Sequence, residues 1–375
     1  MTTLDSRSGH RITRLATLET IASPDRAPAD LSTAPLPRLL VTRDPRHGVT
    51  LYAQRLAEAL TEPAGAEVTA GERVHLHFTD RLWGSDPGAA ASAVEELAQR
   101  ASVTVTLHDL PQPSDGAGSL GRRAASYRRV VEAASGVVCN SHHEAELLAE
   151  YVGAVTAITV IPLPVDGPSA GAAIGADTTG AADAGTATVA RATQDPAAGS
   201  APAVSVLGYV YPGKGHDRVL RAVGNLRRYP RPVVEALGRA SEGHEHDVEN
   251  VRRLARYAGV AFTITGFLPD DELRERCRRS AVPVIAHRHV SASGSLASWL
   301  GAGRRPIVLA SRYMQEMAAL HRNALTVVDG RALDDAIEHA LAHPESTRLD
   351  DSVRLGPDLA EVAALYRRFW AEVAW

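Results

Sequence analysis

Short apolar runs bounded by turn residues alternate with longer amphipathic stretches along most of this chain, and that alternation admits few folds. The first run, Arg38-Leu39-Leu40-Val41-Thr42, leads through the loop Arg43 to Gly48 into a helix-patterned stretch from Leu51 to Leu60. Val74 to Phe78 and Val103 to Leu107 read as strands, with a helix from about Ala89 to Arg100 between them. A helix over 122–134, a buried strand Gly136 to Cys139 and a helix through Glu144 to Tyr151 follow, the last with Ser141 and Glu144 spaced as a capping box. Strands that alternate with helices form parallel sheets covered on both faces, so the expected class is α/β.

From Gly167 to Ala203 the composition shifts to Ala, Gly, Thr, Asp, Ser and Pro with no aromatic residue, a stretch that cannot bury enough surface to order itself. Beyond it the alternation resumes with strands at Val204 to Leu207, Pro232 to Leu237, Phe262 to Gly266, Val282 to Ile285 and Pro306 to Leu309. Helices are expected at 216–228, 248–257, 270–279 and 295–302. The predicted organisation is a flexible tail (1–36), an N-terminal domain (37–166), an inserted linker (167–203), a second domain (204–357) and a final helix (358–375). Leu359, Val362, Leu365, Tyr366, Phe369, Trp370 and Val373 give that helix an apolar face that must dock.

With 375 residues, 45% of them hydrophobic, the chain can fill two cores. The formal net charge of -4 predicts neither nucleic acid nor a membrane surface as partner. Cys139 and Cys277 are too far apart for metal-type spacing, so no zinc site or disulfide framework is expected and a reducing cytoplasm is the default. No apolar stretch approaches the roughly 18 to 20 residues of a membrane helix.

Lys214 is the one lysine among 40 Lys and Arg residues, and it follows the run Val204 to Leu207 in the loop Gly208-Tyr209-Val210-Tyr211-Pro212-Gly213-Lys214-Gly215. A compact ammonium flanked by Gly213 and Gly215, between a strand end and a helix start, suits a diphosphate. The spacing is not that of a Walker loop, and a structural turn is the alternative.

Residues 276–315 hold seven arginines (Arg276, Arg278, Arg279, Arg288, Arg304, Arg305 and Arg312) and no Asp or Glu, which reads as an anion-facing segment or a solvated basic face. At its centre Ser291-Ala292-Ser293-Gly294-Ser295 precedes a short helix, where hydroxyls and N–H groups together can cradle phosphate or merely cap the helix. His108 and Asp109, in Thr106-Leu107-His108-Asp109-Leu110-Pro111, follow a first-domain strand; the histidine suits a ligand hydroxyl or a proton, and a capped turn is the alternative. His75 and His77 alternate along a strand and read as structural.

These motifs, in this order, resemble the GT-B glycosyltransferases, in particular the retaining family related to bacterial mannosyl- and glucosyltransferases. The likeness rests on Gly48-Val49, Leu107-His108-Asp109, Val138-Cys139-Asn140-Ser141, Ile161-Pro162-Leu163-Pro164-Val165-Asp166, Lys214-Gly215 with Asp217, Gly266-Phe267-Leu268-Pro269 and Gly303-Arg304-Arg305-Pro306. It implies two Rossmann-like doubly wound domains facing a cleft, a nucleotide diphosphate sugar held mainly by the second, an acceptor on the first, and a last helix crossing back. It also implies hexosyl transfer to a glycan, lipid-linked or small-molecule acceptor, without a cofactor or metal.

Lys214 matches the family's diphosphate lysine, His108 the histidine at the donor sugar, and Gly48 the loop glycine at the transfer site, with Asp109 beside His108. Gly213, Gly215, Ser291, Ser293, Gly294 and Ser295 fall to donor binding. Two departures stand out. Gly208 is followed by Tyr209 where the family often has arginine, a contact expected instead from Arg304 or Arg305. The family's two glutamates eight positions apart are replaced by Ser291 and Trp299, or in the neighbouring register by Val290 and Ser298, leaving Glu316 as the expected source of a carboxylate. A catalytically silent GT-B protein that binds a nucleotide or glycan, or supports a partner, is the alternative reading; an epimerase on the same scaffold would need an acid/base pair that the sequence does not offer.

Overall fold

The computed structural model describes residues 35–42, 47–61, 64–65, 68–153, 158–165, 202–228, 230–240, 243–288, 290 and 292–375. Most of the expected tail and inserted linker, 1–34 and 166–201, lies outside the described residues.

Two parallel six-stranded sheets carry the fold. The first consists of β1 (Arg38–Leu40), β2 (Ala64–Gly65), β3 (Arg73–Phe78), β4 (Ser102–Leu107), β5 (Gly136–Cys139) and β6 (Ile158–Val160), in the spatial order β2-β1-β3-β4-β5-β6. The second holds β7 (Ala203–Leu207), β8 (Val233–Leu237), β9 (Phe262–Ile264), β10 (Val282–Ile285), β11 (Ile307–Leu309) and β12 (Thr326–Val328), in the order β12-β11-β10-β7-β8-β9. Counted from β7, that is the doubly wound order 3-2-1-4-5-6, whose chain reverses direction across the sheet between β7 and β10. In the first sheet the corresponding reversal falls between β1 and β3. The α/β expectation holds, and each reversal leaves a crevice at the carboxyl ends of its strands.

Register keeps the apolar faces inward. Val74, Leu76 and Phe78 of β3 pair with Val103, Val105 and Leu107 of β4, all buried in one core with Tyr127 and Val130. Val204 and Val206 of β7 pair with Val282 and Val284 of β10, buried with Val219, Leu220 and Val223.

Helices α1 (Gly48–Leu60), α2 (Asp80–Trp83), α3 (Pro87–Ala98), α4 (Ala117–Ala133) and α5 (His142–Leu147) serve the first sheet. Helices α6 (His216–Asn225), α7 (Glu245–Ala258), α8 (Asp270–Arg279), α9 (Gly294–Gly301), α10 (Arg312–Leu320) and α11 (Leu333–Ala342) serve the second. The sequence reading omits β2, β6, β12, α2, α10 and α11, which are short or lie in stretches without a strong period. It also starts α4 five residues late, because Gly118 and Gly121, which read as loop, lie within the helix. The expected capping box at α5 is half formed: Ser141 Oγ accepts from Glu144 N at 3.0 Å, but the Glu144 carboxylate accepts from Asn140 N rather than from the cap residue.

The last helix, α12 (Leu359–Glu372), packs on the first sheet. A complete capping box at Asp358 and Glu361 starts it, and Val362, Tyr366, Phe369 and Trp370 sit against Leu39, Leu56, Leu60 and Val138. Burying side chains of this size contributes roughly 1.5–3 kcal/mol each. Tyr366 reaches Thr106 Oγ1 at 2.8 Å, and Arg367 donates to the Leu60 carbonyl at 2.9 Å. No helix among the described residues is long and apolar enough to cross a membrane.

Candidate functional site

The loop after β7 is shaped by glycines. Gly208, Gly213 and Gly215 have φ of +110°, +96° and +97°, in the left-handed region that other residues avoid. A Cβ on Gly208 would stand 2.6 Å from Lys214 Nζ, so the ammonium is seated on the bare backbone where β7 ends. A Cβ on Gly215 would meet the Ala286 carbonyl oxygen at 2.1 Å, which presses the lysine loop onto the end of β10. Arg288 N then donates to the Gly213 carbonyl at 2.9 Å and ties the loops after β7 and β10 together. Lys214 therefore lies at the reversal point of the second sheet, 7% exposed.

Directly after it α6 begins. Its N-cap is Gly215, and no side chain caps it. His216, the first residue of α6, is 2% exposed with neither ring nitrogen meeting a hydrogen-bond partner. Burial first, then the neighbouring Lys214 charge, push His216 down to about 3, and the same two causes in the same order lower His287 well below the usual histidine range. The sequence reading missed both, although His216 adjoins the Lys214-Gly215 pair and His287 lies two residues past β10. The loops after β7 and β10 thus bring together the Lys214 ammonium, two neutral imidazoles and the positive end of a ten-residue helix.

Across the reversal, Ser293 caps α9: its Oγ accepts from Leu296 N at 3.2 Å and lies 3.1 Å from Ser295 Oγ, while its backbone N–H donates to Tyr313. Its hydroxyl is thus engaged as the cap, and Gly294 beside it is exposed with no atom near the position of a Cβ. Ser291 lies outside the described residues.

Arg304 and Arg305 do not lie beside Lys214 as the sequence suggested. They precede β11, at the opposite edge of the sheet from Lys214. Arg304 is 5% exposed and donates to the carbonyls of Arg278 and Ala281 and to Thr347 Oγ1, closing the end of α8. Its burial, with Arg348 nearby, lowers it to about 10. Arg305 N bonds to the Thr347 carbonyl. The Arg304 guanidinium is therefore committed away from the phosphate contact expected of it, and Arg305 starts from the same amino-terminal end of β11.

Glu316 is likewise committed elsewhere. Its carboxylate accepts from His142 N at 2.6 Å and from His143 N at 2.9 Å, the first two residues of α5, and so binds a helix N-terminus of the other lobe. Arg312, one turn earlier on α10, pairs with Glu146 and Glu150. The remaining arginines of the basic segment are also largely neutralised: Arg276 by Glu235, Arg278 and Arg279 by Glu275, and Arg288 by Asp217.

In the first lobe His108 follows β4 and is 6% exposed. Its Nε2 lies 3.0 Å from His77 Nδ1, the rings stack at 28°, and Tyr127 donates to its carbonyl at 2.6 Å. Burial first, then His77 and His47, hold its pKa well below the usual value, so the imidazole is neutral. His47 is the N-cap of α1, with Nδ1 accepting from Val49 N at 3.2 Å, and Gly48 opens that helix. Asp109, at φ +50°, accepts from Arg123 at 2.9 Å. Arg123 also binds Asp80 and Asp115, and this cluster lines a hollow of about 330 Å³ together with Arg81, Ser85 and Asp86. Among the described residues no cluster of His, Cys, Asp and Glu could hold a metal ion.

Two doubly wound lobes, joined by a last helix that returns to the first, match known structures over most of their length. An Anabaena HepE structure in complex with UDP and glucose superposes with a TM-score of 0.63 at 12% identity, covering 90% of this chain and 99% of that one. The chain has the GT-B fold. WaaG, a glycosyltransferase involved in lipopolysaccharide biosynthesis, matches this GT-B chain with a TM-score of 0.55 at 12% identity, over 90% of this chain and 96% of its own. Sucrose-phosphate synthase from Thermosynechococcus elongatus matches with a TM-score of 0.55 at 18% identity, over 81% of this chain and 70% of its own. No protein-family model matches the GT-B chain's sequence, and no curated protein matches it either.

Proposed function

We propose that this protein transfers a sugar from a nucleotide diphosphate sugar to an acceptor hydroxyl, with the donor in the second lobe and the acceptor in the first. One observation carries the reading: the buried Lys214 ammonium, seated on Gly208 at the start of α6, occupies the crevice where the second sheet reverses. A UDP-bound GT-B neighbour and glycosyltransferase neighbours support the class. The diphosphate would lie along Lys214 and the first N–H groups of α6. As the glycosidic C–O bond to the leaving phosphate lengthens, negative charge grows on that phosphate, and the preorganised ammonium and helix dipole stabilise it without reorganising. We assign this charge stabilisation to the protein in place of a metal.

His108 stays neutral and takes the role of orienting a sugar hydroxyl by hydrogen bonding. Hexosyl specificity, retention at the anomeric carbon and the role of Gly48 rest on the sequence resemblance. The loss of the usual glutamate pair, with Glu316 committed to α5, gives the silent-binder reading its one specific support. Incubation of the purified protein with nucleotide sugars and simple glycoside acceptors, followed by NMR of the product's anomeric proton, separates the two. An α-linked product from an α-linked donor establishes retaining transfer. Absence of product with every donor that binds favours the silent binder.

A further inference from the structure

His108 contacts His77 through its ring at 3.0 Å, and both rings are buried and neutral, so a single proton lies between His77 Nδ1 and His108 Nε2. Two arrangements satisfy that bond. If His108 Nε2 carries the proton, neutral His77 must carry its own on Nε2, a nitrogen that is buried and meets no partner. If His77 Nδ1 carries it, the buried Nε2 is only a bare lone pair, and His108 is left protonated on Nδ1. A buried N–H without an acceptor is the rarer and costlier defect.

The surroundings offer His77 no relief. His75, the next inward ring, accepts at Nδ1 from the donor-only Trp370 indole N–H at 3.3 Å, with the Thr104 hydroxyl 2.9 Å from the same nitrogen, and faces Thr106 through Nε2, 3.0 Å away. Its proton therefore sits on Nε2 and is directed to Thr106. Tyr52 meets His77 edge-on, with ring centroids 5.1 Å apart.

We infer that His77, a core residue that meets no ligand, is a positioning residue that holds His108 in its Nδ1–H tautomer, so that His108 meets the sugar as a hydrogen-bond donor and not as a proton acceptor. The arrangement is local to the first lobe; its catalytic meaning rests on the transfer reading above. It fits a reaction in which the histidine orients a substrate hydroxyl and charge is stabilised elsewhere, at Lys214.

Long-range proton–nitrogen correlation spectra of protein labelled with nitrogen-15 histidine read the tautomer directly, with His108 assigned by loss of its signals in His108→Gln. The inference expects Nδ1 protonated and Nε2 bare in the unsubstituted protein. In His77→Phe the proton should redistribute toward Nε2, and kcat/KM for transfer should fall about tenfold, the worth of one ordinary hydrogen bond. His77→Asn, whose amide N–H replaces Nδ1–H, should restore both readouts. A His108 protonated on Nε2 in the unsubstituted protein, or a tautomer unchanged in a folded His77→Phe variant, would overturn the inference. The spectra do not depend on turnover: the expected tautomer without transfer by any variant supports this inference and counts against the proposed reaction.

Discussion

Lys214 owes its place to Gly208, six residues earlier. Because a Cβ at Gly208 would stand 2.6 Å from the ammonium and the backbone there has φ +110°, Gly208→Ala should displace Lys214 as well as strain the loop. Transfer should fall in Gly208→Ala and collapse in Lys214→Ala, by roughly 100- to 1000-fold for the latter, the range for loss of one charge-stabilising group. Steady-state kinetics on both variants, each checked for folding by circular dichroism, tests this; near-normal rates in Lys214→Ala would contradict the assigned role. The lysine was legible in the sequence because it is the chain's one ammonium and lies between glycines, whereas its dependence on Gly208 was not, since sequence spacing does not show which backbone atom a side chain rests on. The buried histidines give a second residue-scale prediction. His75 and His216 are lowered to about 3 by burial, so below about pH 6.5 the unfolded chain binds more protons than the folded one. Their contribution is fully present above that pH and is lost as pH falls toward 3, at about 1.4 kcal/mol per unit for each group. Chemical denaturation across that window should show stability falling on the acid side; a flat profile would contradict the neutral, unprotonated assignment.

Among the elements, the starts and ends of helices separate site from scaffold. α6 begins without a side-chain cap, beside Lys214, while α9 begins with Ser293 spent on Leu296 N. Ser293→Ala should therefore cost about 1 kcal/mol of stability, as a lost N-cap does, measured by denaturant unfolding. Arg304→Ala should cost more, about 3 kcal/mol, because three acceptors around its buried guanidinium lose their donor, while nucleotide affinity stays unchanged. A selective loss of nucleotide affinity in Arg304→Ala would restore the role that its sequence position suggests. Nine of the twelve described strands, with their order along the chain, were readable from apolar periodicity; β2, β6 and β12 were too short to show it. The edge of the sheet on which a basic residue falls is legible as well: Arg304 and Arg305 precede their strand and Lys214 follows its own. That distinction counts against the arginines, since ligands bind beyond the carboxyl ends of the strands.

At the scale of the molecule, the lobes are joined by charge at one edge of the structure. The Glu316 carboxylate on two N–H groups of α5, with Arg312 on Glu146 and Glu150, links α10 to the other lobe. Glu316→Ala combined with Arg312→Ala should raise the radius of gyration measured by small-angle X-ray scattering; an unchanged profile would show that α12 and the Val165–Pro357 contact hold the lobes by themselves. No local pattern announces such a contact, because Glu316 and His142 are joined across 174 positions of the chain.

The measurement closest to the central claim is calorimetric titration of the purified protein with UDP, GDP, ADP and TDP, repeated with Lys214→Ala. The account predicts binding of at least one nucleoside diphosphate, weakened at least about tenfold when the ammonium is removed, the loss of one charged contact. Equal affinity in the two proteins would contradict it.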